Sequence, residues 1–96
     1  MSVRRDIEAV IEALVRDELA GIQVVAVRVT EPDDDIEAEA LDVSVIFEDP
    51  NARIGSDVRM RLLGKMRNAL VHQGETRFPL PRFLTRAEAE DLGVEA

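Results

Sequence analysis

Two stretches of the chain alternate between apolar and other residues at every second position, and this alternation restricts the fold more than any other sequence feature. The stretches cover residues 22–30 and 40–48 and are rich in valine. Such alternation is typical of β-strands with one buried face. Residues 31–35 between them are acidic and turn-forming, so the pattern predicts an antiparallel hairpin. The predicted apolar face consists of Val25, Val27, Val29, Leu41, Val43, Val45 and Phe47. The wetter face of the second strand includes Ala40, Asp42, Ser44 and Ile46.

Three further segments carry signals of α-helices. A first amphipathic helix is predicted over residues 3–20. A second one opens at Ser56, a favourable N-cap residue, and runs to about His72. A third, short helix opens with the capping box formed by Thr85 and Glu88. The first two helices are expected to pack their apolar stripes onto a sheet.

Two prolines define a third strand, over residues 76–84, as an edge strand. Pro79 and Pro81 are two positions apart, so both missing N–H groups face the same side of the strand. That side cannot pair with a further strand, which also protects the edge against aggregation. The apolar residues Phe78 and Leu80 are assigned to the core.

These elements predict a single α+β domain over residues 1–96, built as a two-layer sandwich. The element order is α-β-β-α-β-α, with a small three-stranded, mostly antiparallel sheet and helices on one face. The order of the first five elements, α-β-β-α-β, resembles that of small KH-like RNA-binding and ribosome-maturation domains, and the resemblance implies RNA binding. A KH module has a G-x-x-G loop between two helices, and this sequence contains no such motif.

Composition excludes several classes of function. The chain has no cysteine, which excludes disulfides, thiol catalysis and Cys-ligated metal centres. No apolar run approaches the roughly 20 residues that span a bilayer. There is no P-loop or dinucleotide-binding glycine motif, and His72 is the single histidine, so no His-pair metal site can form. We therefore expect a soluble, cytoplasmic, non-catalytic protein without cofactor, metal or membrane partner.

Charge is divided unevenly along the chain. The formal net charge is −8, but residues 1–50 carry −10 and residues 51–96 carry +2. Much of the positive charge falls on the polar face of the second helix and on the strand after it. This asymmetry predicts a candidate interaction face with the following members: Arg61, Lys65, Arg67, Asn68, His72, Arg77 and Arg82.

The most acidic segment is the predicted hairpin tip, Asp33, Asp34 and Asp35. Its alternating carboxylates suggest a calcium loop. However, Ala38 stands where that loop needs glycine, and Ser44 stands where it needs glutamate. A solvated acidic tip is therefore the better interpretation.

Two functions from different classes follow. The first is a small acidic interaction protein that acts through self-association or a protein partner, for which the segregated charges and open sheet edges are sufficient. The alternative is an RNA-binding or ribosome-associated module that uses the basic face of the second helix. The near absence of aromatic residues and the negative net charge make nucleic acid the less favoured partner.

Overall fold

Six elements follow one another in the order that the sequence predicts, and the α+β class is confirmed. The structure is a computed structural model that describes residues 5–31 and 40–94. The acidic tip formed by Asp33, Asp34 and Asp35 lies outside the described residues. The elements are α1 (Arg5–Glu18), β1 (Val24–Thr30), β2 (Ala40–Phe47), α2 (Ser56–His72), β3 (Phe78–Thr85) and α3 (Arg86–Asp91).

The sheet has the order β1-β2-β3, so β2 is central and β3 is an edge strand, as the prolines predict. β1 and β2 are antiparallel, but β2 and β3 are parallel. The sheet is therefore mixed, whereas the sequence predicted a mostly antiparallel one. The reason is the connection between β2 and β3, which runs through α2, and a crossover of this length returns the chain in the same direction.

The main core lies between the sheet and the first two helices. It joins one side of β1 and β2 to the apolar stripes of α1 and α2. Its largest fully buried side chains are Ile7, Ile11, Val15, Val27, Leu41, Val43, Val45, Leu62, Met66 and Leu70. The two helices thus cover one face of the sheet, as predicted.

A β-bulge changes which residues of β1 reach this core. The pairing with β2 shifts between Val24 and Ala26, and this shift places Val25 out of the regular alternation. Val24 therefore packs in the main core together with Val27, while Val25 packs on the opposite face of the sheet. The prediction that Val25 belongs to the main core is wrong for this reason.

Within residues 5–31 and 40–94, the opposite face of the sheet is covered at one end only, by α3. There Ala26 of β1, Ile46 of β2 and Leu84 of β3 form a second apolar cluster with Ala89 of α3. Ile46 is completely buried, although alternation assigned it to the wetter face. Because both faces of β2 are covered at this end, strict alternation fails there.

Phe78 and Leu80 are exposed, at 51% and 44%, so their assignment to the core is wrong. The parallel register explains the reversal, since paired residues of neighbouring strands project to the same face. Pro79 pairs with Leu41, a residue of the main core. The prolines therefore face the helices, and Phe78 and Leu80, which alternate with them, project from the other face.

The helix ends agree in part with the sequence. Thr85 and Glu88 form the predicted capping box, in which the Thr85 hydroxyl accepts from Glu88 N–H and the Glu88 carboxylate accepts from Thr85 N–H. The N-cap of α2 is Gly55, not Ser56, and no side chain caps this end.

No helix in the described part of the chain is long and apolar enough to cross a membrane.

Gly64 lies inside α2, where glycine costs about 1 kcal/mol relative to alanine. A Cβ at this position would meet no atom within 4 Å. We therefore expect Gly64→Ala to raise the free energy of unfolding by about 0.5–1 kcal/mol, as measured by urea denaturation. Gly74 is the control, because its φ of +75° disfavours any side chain. Gly74→Ala should lower stability, and a loss of stability in Gly64→Ala would contradict the expectation.

Candidate functional site

The first two cations of the predicted interaction face are held by a carboxylate of α1. Glu18 accepts a hydrogen bond from Lys65 Nζ, and its second oxygen lies 3.5 Å from Arg61 Nε. The Glu18 side chain is only 12% exposed, whereas both cations are about half exposed. This contact ties the end of α1 to α2 and neutralises part of the basic surface.

The same contact lowers the pKa of Glu18, through the hydrogen bond from Lys65 first and then through the charges of Lys65 and Arg61, against an opposing effect of burial. A depressed carboxyl pKa stabilises the fold above the pKa of the unfolded chain. This contribution is lost as the pH falls through the folded pKa, below the ordinary value of 4.5. In Lys65→Met we expect carboxyl-carbon NMR to give a higher Glu18 pKa than in the wild type. An unchanged titration midpoint would show that Lys65 does not lower it.

Two other arginines of α2 lie over aromatic rings instead of carboxylates. The guanidinium carbon of Arg67 is 5.2 Å from the centroid of Phe78, and that of Arg59 is 5.1 Å from the centroid of Phe83. Both distances are typical of cation–π contacts. Arg67, a member of the predicted face, therefore connects α2 to the exposed start of β3.

Arg77 forms a fork with two carboxylates. Its Nε donates to Glu75 at 2.6 Å, and its Nη1 donates to Glu31, just after β1, at 3.0 Å. Glu75 and then Glu31 raise the pKa of Arg77, and Arg77 lowers the pKa of Glu31. Arg77 thus acts as a tie between the end of β1 and the start of β3.

The remaining members of the predicted face are separated from one another. Asn68 and His72 are exposed on α2, whereas Arg82 projects from β3 on the other face of the sheet. The structure thus brings together Arg61 and Lys65, through Glu18, but it places Arg67, Arg77 and Arg82 in three different surroundings. The cations of the predicted interaction face therefore do not form one continuous basic surface.

The part of the sheet face that α3 leaves open carries a different group of polar residues. The strand register sets Arg28, Ser44 and Arg82 side by side across the three strands. Asp42 lies one row further from α3, beside Leu80. We call this surface, together with Phe78 on the next row, the open sheet face.

A pocket of about 440 Å³ lies on the open sheet face. Its floor is formed by the three strands, and the residues after α3 form one wall. The lining residues are Arg28, Thr30, Glu31, Asp42, Ser44, Arg82, Gly93 and Val94. Ser44 is only 3% exposed, and its hydroxyl accepts a hydrogen bond of 3.0 Å from Arg82 Nε.

Arg28 and Arg82 have no carboxylate partner among residues 5–31 and 40–94, whereas Arg77, just before β3, and Arg86, just after it, are both paired with carboxylates. Arg28 donates only to the carbonyl of Val27, at 3.3 Å. Asp42 lines the same pocket, but it forms no ion pair with either arginine. The open sheet face thus holds two guanidinium groups with unused donors.

Neither edge of the sheet is fully open to a further strand. At β3, the prolines remove two backbone donors from the outer edge. At β1, Val29 N–H donates to the Glu8 carboxylate at 3.0 Å, and the carbonyl of Val24 accepts from Arg16 at 2.8 Å. Side chains of α1 therefore occupy the edge that the sequence left open for strand pairing.

No group of three or more metal-ligating side chains occurs in the part of the chain that the structure describes. No buried side-chain nitrogen or oxygen there is without a hydrogen bond. Comparison with protein-family models, with curated proteins and with solved structures finds no match to this chain.

Arg28, Asp42 and Ser44 are residues of this pocket that sequence reasoning did not select. Each was visible as a polar residue on the wetter face of a predicted strand. Their grouping with Arg82 required the parallel register of β3, which alternation along one strand does not determine.

Proposed function

We propose that this chain is a non-catalytic interaction module that forms a dimer with a second copy through the open sheet face. The observation that carries the proposal is the exposure of Leu80, 44% exposed at the centre of this face, with Phe78 exposed at the sheet edge, where its ring also meets Arg67 of α2. Burial of such side chains is the main source of affinity in protein contacts.

The charges of the open sheet face favour a second copy as the occupant. Leu80 pairs with Asp42 across the strands, and Arg82 follows two positions later on the same face. A twofold contact centred near Leu80 would bring Arg82 of one copy to Asp42 of the other, and the reverse pair forms by symmetry. A surface that carries both signs of charge beside an apolar centre is complementary to itself.

Strand addition is the less favoured mode of association. The prolines block the outer edge of β3, and Glu8 and Arg16 bind backbone groups at the edge of β1. Face-to-face contact needs no backbone donor, so these restrictions do not affect it.

Multi-angle light scattering at micromolar concentration tests the proposal. We expect a dimer at low and at moderate salt, because the contact has an apolar centre as well as charges. A strictly monomeric species at both salt concentrations would contradict self-association.

RNA binding through α2 is the alternative outcome, and labelled RNA titrated at two salt concentrations distinguishes it. Arg61 and Lys65 already bind Glu18, which leaves fewer free cations for phosphates. RNA affinity that falls with salt and is lost when Arg61, Lys65 and Arg67 are replaced by alanine would favour the alternative. We expect no such binding.

A further inference from the structure

The pocket on the open sheet face combines unused cationic donors with a buried hydroxyl. We propose that it binds a small molecule through one phosphate or carboxylate group, held between Arg28 and Arg82 beside Ser44. This inference goes beyond self-association and concerns the single chain. An anion bound to Arg82 takes the place that Asp42 of a second copy takes in the proposed dimer, so the anion and the second copy should compete.

Both arginines line the same pocket. They occupy the two outer strands in the same row, and neighbouring strands lie about 4.8 Å apart, so the two Cα atoms are separated by about 10 Å. Ser44 lies between them on β2. Side chains as long as arginine can reach a single oxyanion across this distance.

The donors that an oxyanion requires are free. Arg82 uses Nε for Ser44, and its terminal amino groups form no hydrogen bond with the described residues. Arg28 uses only Nη1, for a long contact with a backbone carbonyl. A guanidinium group binds phosphate or carboxylate oxygens through two parallel N–H donors, and two such groups can enclose one anion.

The local charge also favours an anion. Four charged residues among those that the structure describes line the pocket, and one of them, Glu31, is bound through its carboxylate to Arg77 at 3.0 Å. The two arginines therefore outweigh Asp42, the other carboxylate. Asp42 would repel an oxyanion placed near it, so the anionic group belongs in the row of Ser44, and Asp42 suits a hydrogen-bond donor elsewhere on the ligand.

The size of the pocket sets the class of ligand. A volume of about 440 Å³ is within the range of small-molecule sites, which is roughly 300–1,000 Å³. Gly93 and Val94 line one side of the pocket. A small phosphorylated or carboxylated molecule fits this space.

NMR titration of the wild-type chain tests the inference, with inorganic phosphate and acetate as separate ligands and sodium chloride at matched ionic strength as the control. We expect saturable shifts of the Arg28 and Arg82 Nε–H signals and of the Ser44 amide. Chloride should not reproduce them. A larger effect of phosphate than of acetate would identify a phosphate site, and the converse would identify a carboxylate site.

Three variants make the test specific. Arg28→Gln should weaken binding at least about tenfold, because hydrogen bonds to charged groups are the strong ones. Arg53→Gln removes the same charge from an exposed loop and should leave the affinity unchanged. Asp42→Asn removes the repelling carboxylate and should tighten binding.

Two results would overturn the inference. One is the absence of saturable shifts at millimolar phosphate and acetate. The other is equal weakening by Arg28→Gln and Arg53→Gln, which would indicate general screening by salt. Shifts confined to the amides of Phe78 and Leu80 would report a change in self-association and would also count against the pocket.

Discussion

Ile46→Ala should lower the free energy of unfolding by about 2–5 kcal/mol, the range for large buried aliphatic side chains. Ile46 is fully buried on β2, where it packs with Leu84 and Ala89. The substitution leaves a cavity between the sheet and α3 that the neighbouring strands prevent from closing. Urea denaturation monitored by circular dichroism measures the change.

Leu80→Ala is the matched control for that experiment. It removes the same number of carbon atoms from a side chain that is 44% exposed, so we expect a loss below about 1 kcal/mol. The sequence pattern predicts the opposite ranking, because it assigns Leu80 to the core and Ile46 to the wetter face. A larger cost at Leu80 than at Ile46 would contradict the parallel register of β3.

Leu80→Glu should raise the dissociation constant of the proposed dimer at least about tenfold, since it places a charge at an apolar centre. A twofold contact repeats the change, so each dimer carries it twice. Sedimentation equilibrium or light scattering over a concentration series measures the shift. The unfolding curve of the variant should confirm that the half-exposed position tolerates glutamate.

Met60→Glu is the control for the contact surface. Met60 is 69% exposed on α2, and glutamate is a good helix former there. This variant introduces the same charge on another surface and should leave self-association unchanged. If Met60→Glu dissociates the dimer and Leu80→Glu does not, the contact lies on α2 and the proposed face is wrong.

A charge exchange examines the same contact without removing apolar surface. Arg82→Glu alone and Asp42→Arg alone each place like charges together across the proposed twofold axis, so each should weaken the dimer. The double variant restores opposite charges and should recover much of the affinity. A double variant that is weaker than both single variants would contradict the reciprocal pairs.

Local sequence signals predicted the elements well because each depends on residues close together in the chain. The capping box of Thr85 and Glu88 acts within four residues, and the paired prolines identify β3 as an edge regardless of its neighbour. The apolar stripes of the helices likewise depend only on helical periodicity. These features require no knowledge of how the strands pair.

The faces of the strands depend on contacts that are distant in sequence. Alternation along β3 predicts that Phe78 and Leu80 lie on the same side of the strand, but it does not determine which side of the strand faces the helices. The crossover through α2 sets β3 parallel to β2 and turns Pro79 inward. A single bulge at Val25 similarly exchanges the burial of neighbouring valines. A shift of one residue in the pairing moves the side chains on one side of the bulge to the other face of the sheet.

The candidate site likewise depends partly on the sequence and partly on the tertiary structure. Residue type and charge identified Arg82 as a surface cation. Periodicity, capping residues and prolines identified the strands, the helices and the edge position of β3. Only the tertiary structure placed Arg82 beside Ser44 and Arg28, because these residues come from three strands whose register is set by the bulge, the crossover and the shared core. It also paired Arg61 and Lys65 with Glu18, since packing of α1 against α2 brings a carboxylate to cations that are far from it in sequence.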